Sequence, residues 1–101
     1  MTIKSVKIVR SKQEGKKYTA KFYDEDKKKV KTTHFGQRGA DDFTKKTGAD
    51  EEQKKRYLDR HRANENWNDK TSAGALSRWI LWNKKSFRES INDYKRRFNL
   101  E

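Results

Sequence analysis

Hydrophobic and polar positions alternate along the first third of the chain, and the period then changes. Residues 3–10, IKSVKIVR, are rich in β-branched side chains and are bounded by SKQEGKK, which predicts a strand. In KYTAKFY, Tyr18, Ala20 and Phe22 fall on one side and Thr19, Lys21 and Tyr23 on the other, the period of a half-buried strand. DEDKK supplies a polar turn and VKTTHF (30–35) a third strand, so an antiparallel meander is expected. Lysines on its outer face would discourage edge-to-edge aggregation.

Alternation stops at GQRGADDFTKKTGAD, where the glycines mark a loop. Asp50, followed three residues later by Gln53, has the form of a capping box and opens a helix over about 51–63. That helix carries Tyr57, Leu58 and His61 on its inward side, and the turn-rich ANENWND closes it. Thr71 or Ser72 caps a second helix running to about Asn83, and Ser86 with Glu89 opens a third. There Phe87, Ile91, Tyr94 and Phe98 recur at spacings of four, three and four, one stripe of a helix. The expected class is α+β: a small N-terminal three-stranded antiparallel meander followed by three helices packed on one face. A single domain over 1–101 divides into the meander (1–35), a glycine-bearing loop (36–50) and a helical part (51–101).

The stretch GALSRWILWNKKSF (74–87) concentrates the apolar residues. At 3.6 residues per turn, Ala75, Leu76, Trp79, Ile80 and Asn83 share one broad face. Arg78 and Lys85 point away, Trp82 lies on the border and Leu81 falls on the far side. A helix apolar over most of its circumference belongs between other elements. It is therefore expected to pack between sheet and last helix, leaving Arg78, Leu81, Trp82 and Lys85 to meet a base or another protein.

Composition changes this picture in two ways. Only 30% of the chain is hydrophobic and its net charge is +12, a combination typical of disorder. Against that, the chain holds three Trp, four Tyr and five Phe, each able to bury roughly 150–250 Å². A small aromatic core under a heavily charged surface follows. Cysteine is absent, which excludes disulfides and thiolate metal sites. No run approaches the roughly 20 apolar residues of a bilayer span, and MTIKSVKIVRSK lacks a signal-peptide core. Neither membrane insertion nor secretion is expected.

The charge is uneven. Residues 1–23 hold seven basic side chains against Glu14 alone, and residues 70–101 hold eight against Glu89, Asp93 and Glu101. Two such ends can merge into one positive face for a polyanion. The candidate phosphate contacts are Lys4, Lys7, Lys16, Lys17 and Lys21 in the strands and Lys84, Lys85, Arg88, Lys95, Arg96 and Arg97 toward the C-terminus. Arg38 joins them, because Gly36 and Gly39 around it could turn backbone N–H groups onto an anion, with Asp41 and Asp42 opposing. Arg78 and Trp82 complete the set. On the first helix Lys55, Arg56, Arg60 and Arg62 alternate with acids, as on a salt-bridged solvent face. No helix-turn-helix or RNP motif is present, so contact should be largely sequence-independent.

Catalytic signals are sparse. No serine sits in a nucleophile elbow, and the two histidines are far apart in sequence. His34 with Asp41 and Asp42 would permit a metal cluster; His61 reads as a core-facing imidazole. No enzymatic activity and no cofactor are expected, with a small metal-dependent nuclease as the third reading.

The motifs THFGQRGADDFT, RYLDRHRANENW, TSAGALSRWILWNKKS and SINDYKRRFNL resemble a family of short basic proteins of unknown function. Large double-stranded DNA viruses of algae and protists, the phycodnaviruses and their relatives, are its main source. The resemblance covers about residues 30–100 and is most specific from Arg56 to Leu100; the N-terminal strands match only in general character. It transfers no site residue. It implies a setting, the virion or the interior of an infected cell, beside a large amount of DNA. The expected function is non-enzymatic nucleic-acid binding, DNA before RNA, with a role in genome packaging. The alternative is a minor virion structural or adaptor protein, whose apolar patch at Leu81 and Trp82 and positive surface would meet an acidic virion or capsid protein. A monomer or weak homo-oligomer is expected.

Overall fold

Strands β1 (Ile3–Arg10), β2 (Lys16–Asp24) and β3 (Lys29–Gln37) pair antiparallel in the order β1-β2-β3. The computed structural model describes residues 2–45 and 48–101. Each hairpin has its own turn chemistry. Gly15 reverses the first with φ +81°, where glycine has no Cβ to clash. In the second, Asp24 Oδ1 accepts from the N–H groups of Asp26 and Lys28 at 2.9 and 3.0 Å, an Asx-type turn.

Register places Val6 opposite Phe22, Ile8 opposite Ala20 and Tyr18 opposite Phe35, so one face of the sheet is apolar. Leu76, Ile80, Tyr94 and Leu100 pack onto it. The free edge of β1 does not stay free. Val6 N–H donates to the Glu101 carbonyl and Glu101 N–H to that of Lys4, both at 3.0 Å, which blunts an edge open to other chains.

Helix α1 (Glu51–Arg62) starts at the expected capping box: Asp50 accepts from Gln53 N–H at 2.9 Å, and Gln53 Oε1 from Asp50 N–H at 3.0 Å. Ser72, not Thr71, caps α2 (Ala73–Leu76) by accepting from Ala75 N–H. Helix α3 (Phe87–Arg97) is capped by Ser86, and Phe87, Ile91, Tyr94 and Phe98 all pack on the core. The chain is thus α+β, a three-stranded antiparallel sheet followed by three helices.

The second helix departs from expectation. After Leu76 it continues as a π-helical segment, Ser77–Leu81, and Trp82 N–H donates to Ser77 O at 3.0 Å. Bonds spanning five residues put the extra residue of each turn where an α-helix would have passed it. Leu81, five after Leu76, is thereby swung under it rather than to the far side, and is only 2% exposed. The helix also stops at Leu81 instead of Asn83, and Phe43 N–H takes the Leu81 carbonyl at 2.9 Å. Gly36 makes room: a Cβ there would lie 2.9 Å from Leu81 Cδ1, and its φ is +80°. Trp82 stacks on Tyr57, centroids 4.4 Å apart and planes 8° apart, and Tyr57 on His61 at 4.2 Å. Among the described residues no helix is long and apolar enough to cross a membrane.

Candidate nucleic-acid interface

Successive side chains of a strand point to opposite faces, so the positions between the core residues form the sheet's second face. Val9, Thr19 and His34 make one row across it, Lys7, Lys21 and Thr32 the next, and Ser5, Tyr23 and Lys29 the third. Helices α2 and α3 pack on the other side. This outer face carries three lysines and no carboxylate. Its rows hold no Arg, Asn or Gln, so the forked side chains that read base edges are confined to the rim. Lys7 and Lys21 are direct cross-strand partners, and like charges so placed destabilise a sheet by about 0.2–1 kcal/mol. The fold alone gives no reason for that pairing. His34 Nδ1 lies 2.8 Å from Thr19 Oγ1 and 3.3 Å from Ser11 Oγ, which holds the ring down over Thr19. Arg10, Lys12 and Gln13 rim the face, where a shallow cavity of about 340 Å³ reaches Thr32 and His34.

The structure divides the sequence-predicted contacts. Lys7 and Lys21 lie together on the outer face. Lys4 stays exposed, 3.5 Å from Glu101, and Lys16 is exposed at the start of β2. Lys17 is a correction: its Nζ donates to Asp42 and to the Ala40 carbonyl, both at 2.5 Å, with the two side chains 13% and 4% exposed. A buried carboxylate requires such a partner, so Lys17 is committed to the fold. Arg38 donates from Nε and Nη2 to the carbonyls of Lys16 and Ser11. The loop amides that glycine could have turned onto an anion are instead used within the fold. Arg38 N–H donates to Gly15 O and Ala40 N–H to Gln37 O, while Gly36 serves Leu81.

The C-terminal set lies beyond the core from the sheet's outer face. Lys84 and Arg88 are exposed and Lys95 half-buried. Arg96 and Arg97 donate to Asp93 at 3.0 and 3.5 Å, and Arg97 stacks 3.7 Å from the Trp79 ring centre. Lys85 donates to Ala49 O and sits 4.2 Å over the Phe43 ring. Arg78 is half-buried, its Nη1 donating to Trp82 O and its guanidinium packed 4.2 Å from Trp79. Burial, and then the nearby Arg97 charge, lower its pKa from the usual arginine value. Trp82, partly exposed, stacks on Tyr57. Lys7 and Lys21 face away from the side on which α3 packs, while the chain end meets the β1 edge at Lys4 and Val6.

Sequence reasoning missed Lys29 and Thr32 on the sheet's outer face; Arg10, opposite Tyr18 in register, and Lys12, beyond the strand, only rim it. The available signal was strand parity: once Thr19, Lys21 and Tyr23 share a side, their cross-strand partners must join them. The partners themselves need the register. His34 and Asp42 also part company, the first held by Thr19 and the second by Lys17. Among the described residues no group of three or more His, Cys, Asp and Glu side chains could hold a metal ion.

A basic α+β domain with an uncovered lysine-bearing sheet is what the fold and surface define. The chain belongs to the family of unknown function DUF5754, whose model matches residues 6–61. The match takes in most of the sheet, which the sequence resemblance had matched only in general character, and ends at His61, early in the run from Arg56 to Leu100. No curated protein and no solved structure matches the chain.

Proposed function

We propose that the protein binds nucleic acid, DNA in particular, through the outer face of its sheet and with little sequence preference. The observation that carries this reading is the Lys7–Lys21 pair on a carboxylate-free face that the helices leave uncovered. Geometry supports it too. Two inter-strand spacings of about 4.8 Å make the sheet about 10 Å across, against a major groove about 12 Å wide. With forked base readers only at the rim, contacts would go mainly to phosphates, which position a protein without specifying sequence. The adaptor alternative rested on Leu81 and Trp82, and both have partners inside the fold. The viral setting implied by the sequence resemblance would place this binding beside a packaged or replicating genome, and packaging is the role we attach to it there.

Lys7, Lys21 and Lys29 with Arg10 and Lys12 offer five cations. If all five meet phosphates, log Kd should change with log salt by about 4.5, at about 0.9 per contact. Threonine at both central positions (Lys7→Thr with Lys21→Thr) should cut that slope to roughly 2.7 and weaken binding about 60-fold at 0.1 M salt. Fluorescence anisotropy of labelled duplex across a salt series measures both. Removing Lys84 and Arg88 instead should change little. If the helix variant loses binding and the sheet variant retains it, the interface is not the sheet.

A further inference from the structure

Where β1 ends and the loop after β3 folds back, a cavity of about 570 Å³ opens at the end of the sheet's core-side face, within the roughly 300–1,000 Å³ of small-ligand pockets. Its charged lining is Arg10, Lys17, Arg38 and Lys45 against Asp42. That carboxylate is fully engaged, by Lys17 Nζ at 2.5 Å on one oxygen and by Thr44 N–H and Oγ1–H at 2.8 and 2.5 Å on the other. The pair closes the loop; Lys45 is shared with Asp41 at 3.3 Å, and Arg10 and Arg38 are the cations left without a carboxylate. Arg38 is held in place by the carbonyls of Lys16 and Ser11 through Nε and Nη2. Nη1 is the nitrogen left for a ligand, and a guanidinium oriented in advance loses little freedom on binding an oxyanion. The apolar wall is aromatic: Tyr18 and Phe87 stack with centroids 4.6 Å apart, and both line the cavity.

We infer that this cavity binds a nucleoside phosphate, the phosphate on Arg10, Arg38 and Lys45 and the base against the Tyr18–Phe87 wall. One guanidinium held in place, with two mobile cations and an aromatic surface beside it, suits that chemistry better than a neutral or cationic ligand. The phosphate could belong to a free nucleotide or to the end of a nucleic-acid strand, and both present the same group.

The test is calorimetric titration of the intact protein with AMP, inorganic phosphate and adenosine, without duplex, so the outcome is independent of the sheet-face reading. AMP should bind more tightly than either fragment. Arg38 also ties down backbone, so the variant is Arg10→Gln with Lys45→Gln, two exposed side chains. It should weaken AMP about tenfold or more, the order expected for a lost charge-assisted hydrogen bond. Phe87→Leu should bring AMP down toward inorganic phosphate. Tighter binding of a 5′-phosphorylated than of a 5′-hydroxyl oligothymidylate supports the cavity as a strand-end site. Equal binding of the two, with AMP still bound, supports it as a free-nucleotide site. AMP binding no tighter than phosphate, or unchanged in the double variant, overturns the proposal.

Discussion

Leu81 offers the sharpest test of the packing, because a regular helix and the π-helical segment assign it opposite environments. Leu81→Ala removes three carbon atoms from a side chain that is 2% exposed. At about 0.8 kcal/mol per carbon, the transfer loss is roughly 2.4 kcal/mol, and the space left behind brings the expected cost into the range of about 2–5 kcal/mol. The same change on an outward helix face would cost less than about 0.5 kcal/mol. Gly36 sharpens the test. Its φ of +80° charges any side chain about 1 kcal/mol or more, and a Cβ would press on Leu81 Cδ1. Gly36→Ala should therefore destabilise strongly in the native background and less once Leu81 is alanine. The double variant should be at least about 1 kcal/mol more stable than the sum of the singles predicts, within the usual coupling range of contacting residues. Urea unfolding followed by tryptophan fluorescence gives all four corners of the cycle. A Leu81→Ala cost below 1 kcal/mol, or additivity within about 0.5 kcal/mol, would refute the packing argument.

Two further tests bear on the loop and on α3. Lys17→Met should cost about 3–5 kcal/mol, because it strands the buried Asp42 charge, and adding Asp42→Asn should recover much of it; a loss under 1 kcal/mol in urea unfolding would contradict the assignment of Lys17 to the fold. Burial pushes the Asp93 carboxyl up, but hydrogen bonds from Asn83 and Arg96 and the charges of Arg97 and Arg96 outweigh it and leave its pKa below the ordinary value. A depressed folded pKa contributes stability that is complete above the unfolded value near 3.9 and is lost as pH falls through the folded one. Asp93→Asn should flatten that part of the acid limb in a pH series of unfolding free energies, and an unchanged limb would contradict it.

Much of the fold follows from local chemistry. Alternation in IKSVKIVR and KYTAKFY, the Asp50–Gln53 box, the Ser86 cap and the Phe87, Ile91, Tyr94, Phe98 stripe each act within a few residues, so each is legible without a partner. The candidate site was legible in fragments. Lys7 and Lys21 stood out as charges, but nothing within either strand says that they face each other. Lys17, the first residue of KYTAKFY, carried no mark of the buried Asp42 that claims it 25 positions later.

Sequence alone therefore determined the strands, the helix starts and the apolar stripe of α3, since capping and periodicity are satisfied inside each element. Tertiary structure decided three things. It set the register that gathers Lys7, Lys21 and Lys29 onto one open face, the contacts that engage Lys17, Arg78 and Trp82 within the fold, and the π-helical turn that carries Leu81 inward. Each depends on atoms remote in the chain: hydrogen bonds between strands, a charge awaiting its counter-charge, and the space beside Gly36 that lets a widened turn pack against the sheet.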